Sequence, residues 1–359
     1  MERTVYSTVE DLISPDALAL IQGSDVQDVG CEPFNSVDGL SGGKLWWVEA
    51  GGVVSRRYVL KRFGWDTDWV MRVTEDRQAR AIVSWRTGLL DRLPDDTSHE
   101  VVGCAQDGSG WAMLLHDASE AMIPPGDDLI TAEDNERFVD AMASLHATFW
   151  EQPQAADGKR GFCTLRQRYS AFAPRTVGLE ASGPDPIPPV AVEGWRLFPG
   201  LVDQDVADVV ARLLDEPAPL CDALLRYPQT VVHGDFKLGN LGIHADDRRV
   251  VLLDWAFVGA APPAVDLAWY LAVNCARLPV SKEATIDSYR QSLAGRLGDR
   301  FDERWWRPQL ELALLGGFLQ LGWPKAWGAA RSESEDVRER ERAELAWWSE
   351  RVREGAKRL

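Results

Sequence analysis

Thr230-Val231-Val232-His233-Gly234-Asp235-Phe236-Lys237-Leu238-Gly239-Asn240, followed by Val250-Val251-Leu252-Leu253-Asp254-Trp255, is the part of this chain that decides its reading. An apolar, β-branched run delivers each acidic cluster, and such runs predict short strands. Both carboxylates then fall at strand ends, where loops open to solvent. The polar Ala245-Asp246-Asp247-Arg248 between them predicts a turn. The expected unit is one β-hairpin, with Asp235 and Asn240 on its entering side and Asp254 on its leaving side.

Phosphoryl transfer needs few protein groups. A carboxylate orients or accepts the proton of the attacking hydroxyl, oxygen ligands hold a divalent cation against phosphate, and a cation offsets charge on the transferred group. Asp235, Asn240, Asp254 and Lys237 supply that list. Oxygen donors suit Mg²⁺, which binds through one or two carboxylates and takes its other ligands from water and nucleotide.

The pattern His-Gly-Asp-x-x-x-x-Asn, a hydrophobic strand and Asp resembles the aminoglycoside phosphotransferase and choline kinase family, small-molecule relatives of the protein kinases. Protein kinases carry His-Arg-Asp and Asp-Phe-Gly at the matching places. The resemblance implies that Asp235 is the catalytic base, that Asn240 and Asp254 are the magnesium ligands, and that His233 braces the loop. Pro262-Pro263-Ala264-Val265-Asp266-Leu267-Ala268 resembles the family segment whose Asp supports that loop, which gives Asp266 a structural role. Lys237 is carried over as a candidate catalytic cation.

Kinase-like folds hold nucleotide phosphates with a lysine on the third strand. Lys61, in Tyr58-Val59-Leu60-Lys61-Arg62-Phe63, is the expected counterpart. The loop before it, Gly39-Leu40-Ser41-Gly42-Gly43, offers Gly39, Ser41 and Gly42 as phosphate contacts through backbone amides. It is not a Walker A loop, because Leu45 follows Lys44. Glu75, in the helix expected to follow, is the candidate partner of Lys61. Leu115, in the link between two lobes, is the candidate neighbour of the base of ATP or GTP.

Working outward, strands are expected at 45–50 and 57–63 with a turn at Gly51-Gly52, and at 100–104 and 111–115. A helix is expected over 74–93. Helical periodicity returns at 133–150, 203–227, 281–297 and 332–357, with an apolar, buried stretch at 307–323. Residues 155–199 are Pro- and Gly-rich and lack periodicity between 174 and 189, which predicts an irregular segment. Strands first and helices after predict an α+β, bilobal, protein-kinase-like fold. A small antiparallel-sheet lobe (1–116) would bind nucleotide, and a larger, mainly helical lobe (117–359) would carry catalysis and the acceptor. Glu193, Trp195 and the Trp323–Trp327 region are candidate acceptor contacts, and His146 is expected in the core.

Composition narrows the function classes. The 359 residues carry 56 acidic and 39 basic side chains, a net charge of −17, which repels nucleic acid and either mildly favours a cationic small molecule or serves solubility alone. The five cysteines lack C-x-x-C spacing, and no two histidines share metal-ligand spacing, so neither a disulfide framework nor a zinc site is expected. No apolar run approaches the roughly 20 residues that span a bilayer, and Met1-Glu2-Arg3-Thr4-Val5 does not open like a signal peptide. The chain reads as a cytoplasmic monomer or homodimer with a small-molecule hydroxyl acceptor. A nucleotide-binding pseudokinase or regulatory module is the alternative.

Overall fold

The computed structural model describes residues 3–35 and 41–359. Gly39, one of the three expected phosphate contacts, lies outside the described residues. The chain divides into two compact units. The first comprises 1–72, 76–126 and 238–256, and the second comprises 73–75, 127–237 and 257–359. The sequence reading places 238–256 after a single break at residue 116, whereas this segment packs with the first unit.

The first unit is built on a five-stranded antiparallel sheet. Its strands are β1 (Val26–Phe34), β2 (Lys44–Gly52) and β3 (Arg56–Phe63), then, beyond a two-residue strand β4 (Thr97–Ser98), β5 (Val101–Asp107) and β6 (Gly110–His116). The spatial order is β1-β2-β3-β6-β5. Period-two alternation buries Val48, Ala50, Tyr58, Leu60, Ala112 and Leu114 on one face, against Leu12 and Leu18 of two short N-terminal helices. β2 runs through Gly52, so the turn falls at 53–55, two residues later than Gly51-Gly52 suggests.

The helix expected over 74–93 is broken. Trp69–Val73 and Arg80–Arg86 are separate helices, with a further 3₁₀ turn at Leu90–Arg92. Glu75 and Ala79 have left-handed backbones, φ 55° and 56°. The buried Asp76 carboxylate accepts the Arg80 N–H at 2.9 Å, so an acidic side chain replaces the preceding helical turn as acceptor. Periodicity of apolar residues alone runs through such a break.

The single hairpin of the sequence reading is two ladders. β7 (Thr230–Val232) does not pair with the strand that leads to Asp254. It pairs antiparallel with β10 (Gly259–Ala261), in the second unit. In the first unit, β8 (Leu241–Ile243) pairs antiparallel with β9 (Val250–Leu252), and β4 adds to β9 in parallel. A three-residue apolar run specifies a strand but not its partner.

The second unit is otherwise helical. Ala132–Thr148, Lys282–Leu297 and Glu335–Ala356 follow the expected periodicity, the second capped by Ser281, and Ala264–Val273 is a further helix that the sequence reading does not assign. The segment expected to be irregular contains helices at Leu165–Ser170, Pro174–Val177 and Ile187–Leu197, and Thr164 and Gln167 close a capping box on the first. Residues 203–227 form two helices, Gln204–Asp215 and Ala218–Leu224, the second opening just after Pro217. Glu303–Arg331 is a long buried helix that bends at Leu321, where Pro324 lacks the N–H that would reach back one turn. The sheet-bearing first unit and the mainly helical second make the fold α+β, as expected. Among the described residues, no helix is long and apolar enough to cross a membrane.

Candidate active site

In the first unit, Lys61 lies in β3 between Leu45 of β2 and Met113 of β6. Its Nζ is 3.0 Å from Asp254 Oδ2. Asp254 follows β9 with φ 64°, a left-handed backbone that Asp tolerates better than most residues. Next to it, the Trp255 indole donates to the Leu252 carbonyl at 3.0 Å and is buried. Asn240 ends the turn Leu238–Asn240, is buried, and accepts the Leu253 N–H through its backbone carbonyl at 3.0 Å. The β8–β9 ladder thus holds the backbones of Asn240 and Asp254 near one another.

A second carboxylate, which sequence reasoning missed, feels this pair. Asp68 is buried at the start of Trp69–Val73 and accepts the N–H groups of Val70 and Met71. Burial pushes its carboxyl up to about 6, while the Lys61 charge pulls it down and Asp254 pushes it further up. The available signal was an N-cap Asp before the apolar Trp69-Val70-Met71.

Glu75 does not fit the place expected of it. It is exposed, in a turn and not on a helix, and the carboxylate bonded to Lys61 is Asp254. Ser41 accepts the Trp69 N–H through its carbonyl at 3.2 Å. Gly42 has φ 90°, and a Cβ there would lie 2.1 Å from the Thr67 carbonyl oxygen, so only glycine fits. Leu115 is half-buried in β6, in register with Val59 and Val101.

In the second unit, β7 delivers His233, Gly234 and Asp235. Asp266, on the helix Ala264–Val273, accepts the His233 N–H at 2.7 Å and the Gly234 N–H at 2.8 Å. Asp266 is fully buried, and burial by itself would raise its pKa. The His146 hydrogen bond and charge, with Arg168 and His233 behind them, bring it below the ordinary carboxylate value. His146 bridges Asp266 and the Tyr289 hydroxyl, which makes it the core histidine expected. His233 Nδ1 accepts the Asp235 N–H at 3.2 Å.

Arg168 is another residue the sequence did not disclose. It is buried and donates to the Gly234 carbonyl at 2.9 Å and the Phe257 carbonyl at 2.7 Å. Gly234 has φ 87°, and a Cβ on it would meet Arg168 Nη2 at 2.1 Å and the Phe257 oxygen at 2.5 Å. Asn274 donates to the Phe236 carbonyl at 2.9 Å. The loop is therefore bonded before, at and after Asp235. Asp235 is buried, its side chain 10% exposed, with Oδ1 accepting the Trp269 indole N–H at 3.0 Å and Oδ2 lying 3.6 Å from Lys237 Nζ.

These features coincide with a family assignment. The phosphotransferase enzyme family matches residues 50–308. The chain belongs to that family. No curated protein sequence matches it. Solved structures with the same protein-kinase-like fold include the ethanolamine kinase of Plasmodium vivax, at 12% identity and TM-score 0.53, covering 95% of this chain and 85% of that one. A microcompartment-associated aminopropanol kinase aligns at 15% identity and TM-score 0.53, over 95% and 98% of the two chains. The choline kinase of Streptococcus pneumoniae aligns at 14% identity and TM-score 0.50, over 95% and 98%.

Within this phosphotransferase-family chain, three of the expected acceptor contacts, Glu193, Trp195 and Trp323, are already engaged. Trp195 donates to the Phe172 carbonyl at 2.7 Å, and Trp323 stacks on Phe172 with centroids 6.2 Å apart. Both tryptophans are buried. Glu193 is held by Arg196 and Arg331 at the surface. The donor set fits magnesium. Asp254 and Asn240 offer hard oxygens, and among the described residues no cluster of three His, Cys, Asp or Glu could enclose a metal. An ion here would complete its shell with phosphate and water, as Mg²⁺ does.

Proposed function

We propose that this chain transfers the γ-phosphoryl group of ATP, or GTP, to a hydroxyl of a small molecule. The observation that carries the reading is the buried Asp266 carboxylate, which accepts two successive N–H groups and holds Asp235 on a rigid loop. Asp235 is the base that orients and takes the acceptor's proton, and Lys237, beside its Oδ2, offsets charge on the transferred group. His233 and Asp266 support the loop.

Lys61 holds nucleotide phosphates, Ser41 and Gly42 with Gly39 cover them, and Leu115 neighbours the base. Asn240 and Asp254 would hold Mg²⁺, which when bound neutralises phosphate charge. A bound nucleotide would compete with Asp254 for Lys61, so the 3.0 Å ion pair keeps the lysine oriented until phosphate arrives. On this reading, residues 1–116 serve the nucleotide together with 238–256, and the remainder of 117–359 serves catalysis and the acceptor. Amino alcohols, amino sugars and aminoglycosides are the acceptors to test first. Solved structures of this fold act, by their names, on ethanolamine, aminopropanol and choline. The net charge of −17 also favours a cation.

The test is ADP release with ATP, Mg²⁺ and that acceptor panel. Acceptor-dependent release that disappears in Asp235→Ala supports the reading. Nucleotide binding without turnover on any acceptor defeats it, in favour of a regulatory module.

A further inference from the structure

We propose that Trp269 is a positioning residue: its indole N–H sets the rotamer of the Asp235 carboxylate and assigns its two oxygens separate tasks. The inference rests on the phosphotransfer reading above. Indole nitrogen is a donor only, and a buried indole N–H needs an acceptor. Trp269 is buried, and the acceptor it finds is Asp235 Oδ1 at 3.0 Å. A bond from N–H to a carboxylate is charge-assisted and directional, so it ties that oxygen to one place.

The ring is packed among other aromatic side chains. It lies against Phe172 on one side, with centroids 6.2 Å apart, and is stacked on Phe257 at 6.3 Å. Trp269 also stands three residues after Asp266 on the helix Ala264–Val273, hence on the same face. One helical face therefore holds the loop twice: Asp266 takes the backbone of His233 and Gly234, and Trp269 takes the side chain of Asp235. Bonds to the backbone fix the loop but do not by themselves set the χ angles of a side chain. Oδ1 accepts the Trp269 N–H and Oδ2 lies 3.6 Å from Lys237 Nζ, an orientation that under this proposal turns Oδ2 toward the acceptor hydroxyl.

The test uses Trp269→Phe, which keeps an aromatic ring and deletes the donor, on the full chain with ATP, Mg²⁺ and the acceptor panel. Expected is a fall in kcat of about tenfold or more per folded molecule, with the KM for ATP changed less than twofold. A residue that only fills space would lower thermal stability and leave kcat per folded molecule unchanged. A kcat within twofold of the parent overturns the inference.

A second measurement does not depend on how well that variant folds. In protein labelled with ¹⁵N-indole tryptophan, the Trp269 N–H signal should move upfield and exchange faster with solvent in Asp235→Ala. An unmoved signal overturns the inference. If Asp235→Ala leaves ADP release intact, the phosphotransfer reading fails and the positioning role falls with it, whatever the spectrum shows. If Asp235→Ala abolishes release and Trp269→Phe does not slow it, only the positioning role falls.

Discussion

Lys61 and Asp254, 193 positions apart in the chain, form an ion pair with 3.0 Å between Nζ and Oδ2. Both side chains keep about a quarter of their surface exposed, so the pair contributes about 1 kcal/mol or less to stability. Lys61→Met is therefore expected to leave the melting temperature nearly unchanged while lowering kcat/KM for ATP at least a hundredfold. Thermal denaturation and ADP-release kinetics on the same preparation check this, and a large drop in melting temperature would assign the lysine to the scaffold.

Asp68 carries a pH signature. Its folded pKa, raised to about 6 chiefly by burial, lies above the ordinary 3.8, so the folded state holds the proton more tightly than the unfolded one. Its contribution is fully present below pH 3.8 and is lost as pH rises through 6, at a cost of about 3 kcal/mol. Asp68→Asn keeps the bonds to Val70 and Met71 without that cost. Urea denaturation should show the variant gaining on the parent between pH 4 and 7, and a constant difference would refute the assignment.

Asp266 has the opposite sign. Burial works against its charge, but the His146 bond and its neighbours hold its folded pKa below the ordinary value. Its contribution is present above the unfolded pKa and fades as pH falls through the folded one. Asp266→Asn leaves one N–H of the loop facing an amide NH₂, and is expected to cost about 3–5 kcal/mol at pH 7. That gap should narrow on acidification, measured again by urea denaturation.

Gly234→Ala is expected to lose both stability and turnover. Arg168 could withdraw its Nη2, but the Phe257 carbonyl, 2.5 Å from the added Cβ, is backbone and bonded to Arg168. A φ of 87° adds strain of about 1 kcal/mol. Together these amount to a loss of about 2 kcal/mol or more, and a variant that melts like the parent would show that the loop relaxes freely.

Asn240→Ala tests the proposed ion site. The Mg²⁺ concentration for half-maximal ADP release should rise about tenfold or more, because one of two protein oxygens is lost. The bond from Leu253 reaches the Asn240 backbone, so the substitution does not remove it. An unchanged Mg²⁺ dependence would remove Asn240 from the ligand set.

The strands around Lys61, the helices 133–150 and 281–297, and the acidic clusters at 235 and 254 were all legible, because each is written in local periodicity or spacing. Period-two alternation makes β3 a strand wherever it docks. The misreadings share a cause: they concern partners. Nothing in Thr230-Val231-Val232 says that its neighbour is Gly259–Ala261 and not Val250–Leu252. Glu75 stands where local periodicity predicts a helix, and the left-handed backbones at 75 and 79 remove that helix.

By itself, then, the sequence determined which residue types stand at which spacing: a carboxylate two residues past a histidine, an asparagine five further on, a second aspartate after an apolar run. Tertiary structure alone decided what surrounds them. Arg168 and Trp269 reach Gly234 and Asp235 from distant elements, and burial brings Asp68 under the influence of the Lys61 charge. Such contacts depend on how helices and ladders pack, and packing is a property of the whole fold that no local pattern encodes.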